Sequence, residues 1–194
     1  MLKKFVPDDV KGQTQTKQSV RRNIHKQVRL QATTLQICDA YPSLAGDIDV
    51  IFPKKQALFV AKCNNYINLI MCNNKIWFFQ IRDGPYLPTL KVLHRYPDLL
   101  PKVRVDKGAI PYVYKGANVM MPGLTSPGGD LSVSIPAETF VAITAEGKQH
   151  ALAIGKMLKS TEEIKKINSG IGIDNVHCLD DGLWKMLKDA PEDS

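Results

Sequence analysis

The sequence predicts an α+β chain of two domains: an N-terminal α/β domain carrying antiparallel strands, then a small β-barrel with flanking helices. Three observations lead there. The chain has 194 residues and is 44% hydrophobic, enough for two modest cores. Between Ala57 and Ile81, three short runs rich in β-branched and aromatic residues are separated by asparagine pairs. Beyond Pro97 to Pro101 the composition changes to many short apolar runs with glycine-rich corners. The boundary is placed there, giving domains 1–101 and 102–194.

From Ser19, the apolar residues Val20, Ile24 and Val28 recur at helical spacing, while Arg21, Arg22, His25, Lys26 and Arg29 take the other side. An amphipathic helix with a cationic face is expected, with Ser19 as its N-cap. Leu35 to Phe52 reads as one or two short helices interrupted by Pro42 and Gly46. Strands Ala57 to Lys62, Tyr66 to Met71 and Lys75 to Ile81 follow, joined at Asn64-Asn65 and Asn73-Asn74, residues that tolerate positive φ in tight turns. An antiparallel meander is the simplest arrangement. Asp83-Gly84-Pro85 makes a turn, and Pro88 is placed to start a helix through Tyr96 that Pro97 ends.

In the second domain Asp106 is expected to cap a short helix that Gly116 closes, glycine being at ease with positive φ. Pro111 lacks an N–H, so the regular part should begin around Lys107 or Gly108. Strands are expected near Asn118 to Met121, Leu131 to Ser134, Thr139 to Ala145 and Ala151 to Leu158. Their turns fall at Ser126-Pro127-Gly128-Gly129 and Glu146-Gly147-Lys148. Ser160-Thr161-Glu162-Glu163 is a capping box for a helix to about Asn168, and Gly170-Ile171-Gly172-Ile173 reads as a returning strand.

Charge separates the halves. Through Arg104 there are 17 Lys and Arg against 7 Asp and Glu, a net +10 that includes all six arginines; from Val105 onward 9 stand against 12, a net −3. A polyanion would feel long-range attraction mainly from the first half.

Several chemistries find no support. Cys38, Cys63, Cys72 and Cys178 contain no C-x-x-C pair and read as reduced, buried thiols. His25, His94, His150 and His177 have no metal-binding spacing, and Ser126 is not in a nucleophile elbow. No metal, cofactor or small-molecule substrate is expected. Ser126 does precede Pro127 in an expected turn, which makes it a candidate for a proline-directed kinase. The start lacks a signal-peptide apolar run, and no window approaches the ~20 apolar residues of a membrane span. A cytoplasmic chain with no membrane partner is therefore expected.

The stretches VDKGAIPYVYKGANVMMPGLTSPGG, VAITAEGKQHALAIGKMLKS and GIGIDNVHCLDDGLW resemble a PUA domain, a module named for pseudouridine synthases and archaeosine transglycosylases. Together with RDGPYLPTLKVLHRYP and the start MLKKF, the chain is similar to the malignant T-cell-amplified sequence family of translation factors, a module also found at the front of ligatin. That resemblance implies a pre-PUA domain followed by a PUA barrel, acting without catalysis on the small (40S) ribosomal subunit. It implies a density-regulated-protein partner, post-termination release of tRNA and mRNA, reinitiation and some non-standard initiation. Ligatin carries both partners in one chain; only ten residues follow Trp184 here, so the partner is expected in trans.

Carried over by position, the RNA surface comprises Lys107, Gly108, Lys115, Gly116, Ala117 and Asn118, with Pro122 and Gly123 shaping the adjoining strand. Small residues let a ribose or base approach the backbone, lysines meet phosphate and Asn118 has donor and acceptor atoms. The cationic face of Arg21, Arg22, His25, Lys26 and Arg29 would meet either 40S rRNA or the protein partner. The alternative is a ribosome-biogenesis PUA protein that binds pre-rRNA. A PUA-bearing RNA-modifying enzyme is a third class, disfavoured because such enzymes carry a separate catalytic domain.

Overall fold

Alternating, β-branched sequence punctuated by asparagine folds as written between Leu58 and Ile81. In a computed structural model, which describes residues 24–27, 30–63 and 66–188, β2 (Leu58–Cys63), β3 (Ile67–Cys72) and β4 (Lys75–Ile81) pair antiparallel in succession. Asn73 and Asn74 take φ of 53° and 60° between the partners Cys72 and Lys75, the two-residue turn with positive φ at both positions that matches strand twist. The described residues form two compact units, one of the residues up to Val92 together with Leu187 and Lys188, the other of Leu93–Met186.

In the first unit the sheet has five strands, ordered β1-β2-β3-β4-β5, with β1 at Ile24–Gln27 and β5 at Tyr86–Pro88. Helix α1 (Leu30–Ala40) stops before Pro42, which opens a 3-10 turn at Pro42–Leu44, and Gly46 separates that turn from α2 (Ile48–Ile51). Ile37, Leu44 and Ile51 are fully buried, as are Leu69, Phe78 and Phe79 of the sheet. Tyr41 and Phe52 tilt against Phe78 at ring separations of 6.0 and 6.1 Å. The Tyr41 hydroxyl donates to Tyr86 O at 2.8 Å, and burial pushes that phenol upward.

One expectation is overturned. Ile24, His25 and Lys26 stand in strand β1, not on a helix begun at Ser19; Ile24 pairs with Ala61 and Gln27 with Phe59. An open edge on β2 leaves N–H and C=O groups to be paired, and that pairing outweighs a helical period carried by three apolar residues. Arg21, Arg22 and Arg29 lie outside the described residues. A smaller correction is Pro88, which closes β5 while α3 (Leu90–Arg95) begins two residues later.

The second unit holds a curled sheet ordered β6-β8-β9-β10-β7. Its strands are β6 (Lys102–Val105), β7 (Val119–Met120), β8 (Phe140–Ala145), β9 (Ala153–Met157) and β10 (Ile171–Cys178). Only the β6–β8 pair is parallel among these. Val105, Val141, Ile143, Ala153, Met157, Ile164 and Ile173 make its interior. A Cβ on Gly155 would lie 2.4 Å from Ile173 Cγ2 and 2.8 Å from Ile143 Cδ1, so glycine there lets strands and core close up.

Helix α6 (Thr161–Ile167) carries the expected capping box: Glu163 N donates to Ser160 Oγ at 3.3 Å and Ser160 N to Glu163 Oε2 at 2.8 Å. Leu131 to Ser134 forms no strand. Asp130 makes an isolated bridge with Arg104, and its carboxylate then accepts from Ser132 N at 2.8 Å; this local side-chain turn competes with continued pairing. Helix α7 (Gly182–Lys188) had no counterpart in the sequence reading; Asp181 caps it, accepting from Trp184 N at 2.8 Å. Among the described residues no helix is long and apolar enough to cross a membrane.

Candidate nucleic-acid interface

After β6 the chain turns at Asp106, whose side chain accepts from Ala109 N at 2.8 Å and caps a 3-10 turn at Lys107–Ala109. Helix α4 (Ile110–Tyr114) follows with Pro111 in its first turn, where a missing N–H costs no hydrogen bond. The α-helix therefore starts later than Lys107 or Gly108, and those two residues occupy the tighter preceding turn. Lys107 and Gly108 are exposed.

Gly116 closes the helix at φ 73° and is buried; its N–H donates to Val113 O at 2.9 Å, and that of Ala117 to Tyr112 O at 2.9 Å. Lys115 is exposed, while Ala117 and Asn118 are half-buried. The whole turn is held from beneath by Asn175 of β10. Its amide donates to Val113 O at 3.2 Å and Ala117 O at 3.1 Å, and its backbone N–H donates to Asn118 Oδ1 at 3.2 Å. That contact commits the acceptor atom of Asn118 inward.

Helix α5 (Pro122–Thr125) braces the same turn from the other side. Asp106 N donates to Gly123 O at 2.9 Å, and a Cβ on Gly123 would lie 3.4 Å from Ala109 Cβ. The Ser126 hydroxyl donates to Asp106 Oδ2. Asp106 thus links Ser126 to the turn that presents Lys107. Pro122 is exposed at the start of α5.

The fold therefore gathers Lys107, Gly108, Lys115, Gly116, Ala117 and Asn118 into one continuous turn–helix–turn, with Pro122 and Gly123 beside it. It does not bring His25 or Lys26 into that unit, since they belong to β1. Sequence reasoning missed Asn175, which stands in a strand with two other polar residues, Asp174 and His177, and so gives no distinct signal. It also missed Tyr112 and Tyr114, 64% and 38% exposed on α4. No Asp or Glu occurs between Lys107 and Gly129, so this stretch is net positive although its domain is not.

Away from this surface, His94 Nε2 lies 2.8 Å from Ala151 O, and its ring lies 5.0 Å from that of His150 and 5.7 Å from that of Trp184. Burial holds His94 below the usual histidine range, against the Ala151 carbonyl, which pulls it up. Burial also pushes the Cys63 thiol up to about 11, so it is a poor nucleophile at neutral pH. Among the described residues no group of three or more His, Cys, Asp or Glu is disposed to hold a metal ion.

Residues 5–97 match the Pre-PUA-like domain and residues 101–179 the PUA domain. The chain is 48% identical over 170 residues to malignant T-cell-amplified sequence 1 homolog of Dictyostelium discoideum, covering 88% of each. It is 46% identical to malignant T-cell-amplified sequence 1-A of Xenopus laevis and 43% to malignant T-cell-amplified sequence 2 of Homo sapiens, each over 96% of this chain and 98% of the relative. Among solved structures, a hypothetical protein of Pyrococcus horikoshii aligns at 25% identity and TM-score 0.63, covering 84% of this chain and 98% of that one. A PUA domain protein of Thermoplasma acidophilum aligns at 19% identity and TM-score 0.58, over 79% and 95%, a likeness of fold.

Proposed function

The chain belongs to the malignant T-cell-amplified sequence family, and from that premise we propose that it is a non-catalytic, RNA-binding translation factor of the small ribosomal subunit. In this reading residues 1–101 form the pre-PUA half and residues 102–194 the PUA half. The protein binds 40S rRNA and tRNA in the cytoplasm, acts with density-regulated protein supplied in trans, and serves tRNA and mRNA release after termination, reinitiation and non-standard initiation. The observation that carries the proposal is the acid-free turn from Lys107 to Asn118, with Lys107, Gly108 and Lys115 exposed on a hydrogen-bonded frame inside a domain of net negative charge. Such a surface recognises RNA by close backbone fit and a few placed lysines. The arginines of the first half supply the long-range attraction.

Arg21, Arg22, His25, Lys26 and Arg29 are proposed to meet rRNA phosphates or the protein partner. Alanine at Arg21, Arg22, Lys26 and Arg29 should weaken sedimentation with 40S subunits, and the salt dependence of binding should flatten by roughly 0.9 in slope per lost phosphate contact. Unchanged binding across a salt titration would remove that role. Affinity capture from cells should return 40S subunits and density-regulated protein; capture of precursor particles and a nucleolar location would replace the proposal with ribosome biogenesis. Incubation with tRNA or rRNA should yield no modified nucleoside. Ser126 is a proposed phosphorylation site: a phosphate there would face the Asp106 carboxylate and disturb the cap on the Lys107 turn. Its absence from protein isolated from cells, by mass spectrometry, would remove that assignment.

A further inference from the structure

Three histidines from separate stretches of the chain gather in the second unit around one carboxylate. His94 stands in the last turn of α3, His150 is exposed on the connection between β8 and β9, and His177 is fully buried near the end of β10. The half-buried His94 ring lies 5.0 Å from that of His150 and meets Trp184 of α7 edge to face at 5.7 Å, with Nε2 2.8 Å from Ala151 O. His177 is near enough to repel a charge on His94, and its Nδ1 lies 2.7 Å from Asp181 Oδ2. Asp181 also accepts from Cys178 N at 3.0 Å and Trp184 N at 2.8 Å. One carboxylate thus orients His177 and caps α7 together.

We propose that this cluster is a proton-operated clasp: uncharged His94 donates from Nε2 to Ala151 O and holds the start of α7 against the β8–β9 connection, and a proton taken up at Nδ1 opens it. The groups facing His94 are His150 from the connection, His177 from β10 and Trp184 from α7. Asp181, the carboxylate of the cluster, is already engaged by His177 and two backbone N–H groups. Lys91 and Arg95 on α3 are further cations, Arg95 lying over the Tyr96 ring at 5.6 Å, while Lys185 of α7 is held 3.4 Å from Asp180. A charge on His94 therefore meets neighbours of its own sign and gains no carboxylate. Burial holds the group below 6.5 with help from the two histidines, against the pull of the Ala151 carbonyl. The open form, with His94 in water, binds the proton more readily than the closed form, so falling pH favours opening. Histidine changes charge in the mildly acid range, and here that change is read out as loosening of α7.

The test uses the full chain and NMR, following the histidine rings, the Trp184 indole N–H and amide exchange as pH is lowered. The indole signal should move with the His94 midpoint. His94→Gln keeps a donor for Ala151 O but cannot titrate, so its indole signal should stay in place. Opening that takes up one proton grows at most about tenfold per pH unit below 6.5. At about pH 5.5 the Trp184 and Lys185 amides should therefore exchange several-fold, and no more than about tenfold, faster in the wild type than in His94→Gln, and alike at about pH 7.5. His150→Gln, at an exposed position that leaves the fold alone, removes the neighbouring charge and should move the His94 midpoint upward. Equal exchange in wild type and His94→Gln at both pH values overturns the clasp, as does an indole signal that shifts in His94→Gln. A His94 midpoint unmoved in His150→Gln overturns the coupling between the rings, whether or not His94→Gln folds well.

Discussion

Asn175 is where the fold and the proposed RNA surface meet, and removing its side chain should separate the two. It is 1% exposed, and both amide hydrogens are used, on Val113 O and Ala117 O at 3.2 and 3.1 Å. In Asn175→Ala the Ala117 carbonyl loses this partner, while Val113 O keeps the Gly116 N–H at 2.9 Å. An acceptor stranded this way costs about 1–3 kcal/mol. The loss falls on one segment, so the readout should be local: amide exchange at Gly116 and Ala117, whose N–H groups bond Val113 O and Tyr112 O. At tenfold per 1.4 kcal/mol, their exchange should accelerate roughly 5- to 140-fold. Amides of the separate β2–β3 ladder, such as Val60 and Ile70, serve as the unaffected reference. RNA affinity should fall with the salt slope intact, because no cation has been removed. Uniform destabilisation with no selective gain in exchange at Gly116 and Ala117 would refute the reasoning and reduce Asn175 to a core filler.

Three further outcomes are expected. Gly116→Ala should cost about 1–2 kcal/mol in denaturant unfolding because its φ of 73° is left-handed, whereas Gly108→Ala should change stability by under about 0.5 kcal/mol yet weaken RNA binding. Equal stability losses would contradict that division of roles. Ser160→Ala should destabilise α6 by about 1 kcal/mol through loss of its N-cap, seen as faster exchange of the Glu163 amide. The Ser160 N–H holds the Glu163 carboxyl below its usual value of 4.5, so this contribution is present above pH 4.5 and fades as pH falls through the lower folded value; Glu163→Gln should flatten that acid dependence. Burial lowers His94 from 6.5, so the unfolded chain binds more protons and stability should fall as pH drops below about 6.5. Urea midpoints at pH 7.5, 6.5 and 5.5 that drop as much in His94→Gln as in the wild type would exclude it as the cause.

The legible parts of this molecule are those whose determinants lie within a few residues of each other. Asn73-Asn74 specified a hairpin because positive φ at both positions is a local property. Ser160 and Glu163 announced a helix start by reciprocal bonds three residues apart. Pro111 and Gly116 bracketed α4, although the split into a 3-10 turn and a helix starting at Ile110 emerged only from the folded backbone. The proposed site residues from Lys107 to Asn118 were traceable for the same reason, being one short, contiguous stretch.

What failed to show depends on partners far along the chain. Ile24 falls at helical spacing between Val20 and Val28, yet Ile24 to Gln27 pairs with β2 because an open sheet edge more than thirty positions away needs its N–H and C=O groups satisfied. Leu131 to Ser134 has strand composition, but the Asp130 carboxylate bonds Ser132 N and ends the pairing after one bridge. By itself the sequence determined two α+β domains, the local caps and turns, the charge split and the family. Tertiary structure alone decided that Asn175 anchors the turn–helix–turn proposed to face RNA across 57 to 62 residues, that Asp106 joins Ser126 to the turn holding Lys107, and that Tyr112 is left facing solvent. Local propensity acts between neighbours, whereas burial and cross-strand hydrogen bonding are assigned only once distant segments share a surface.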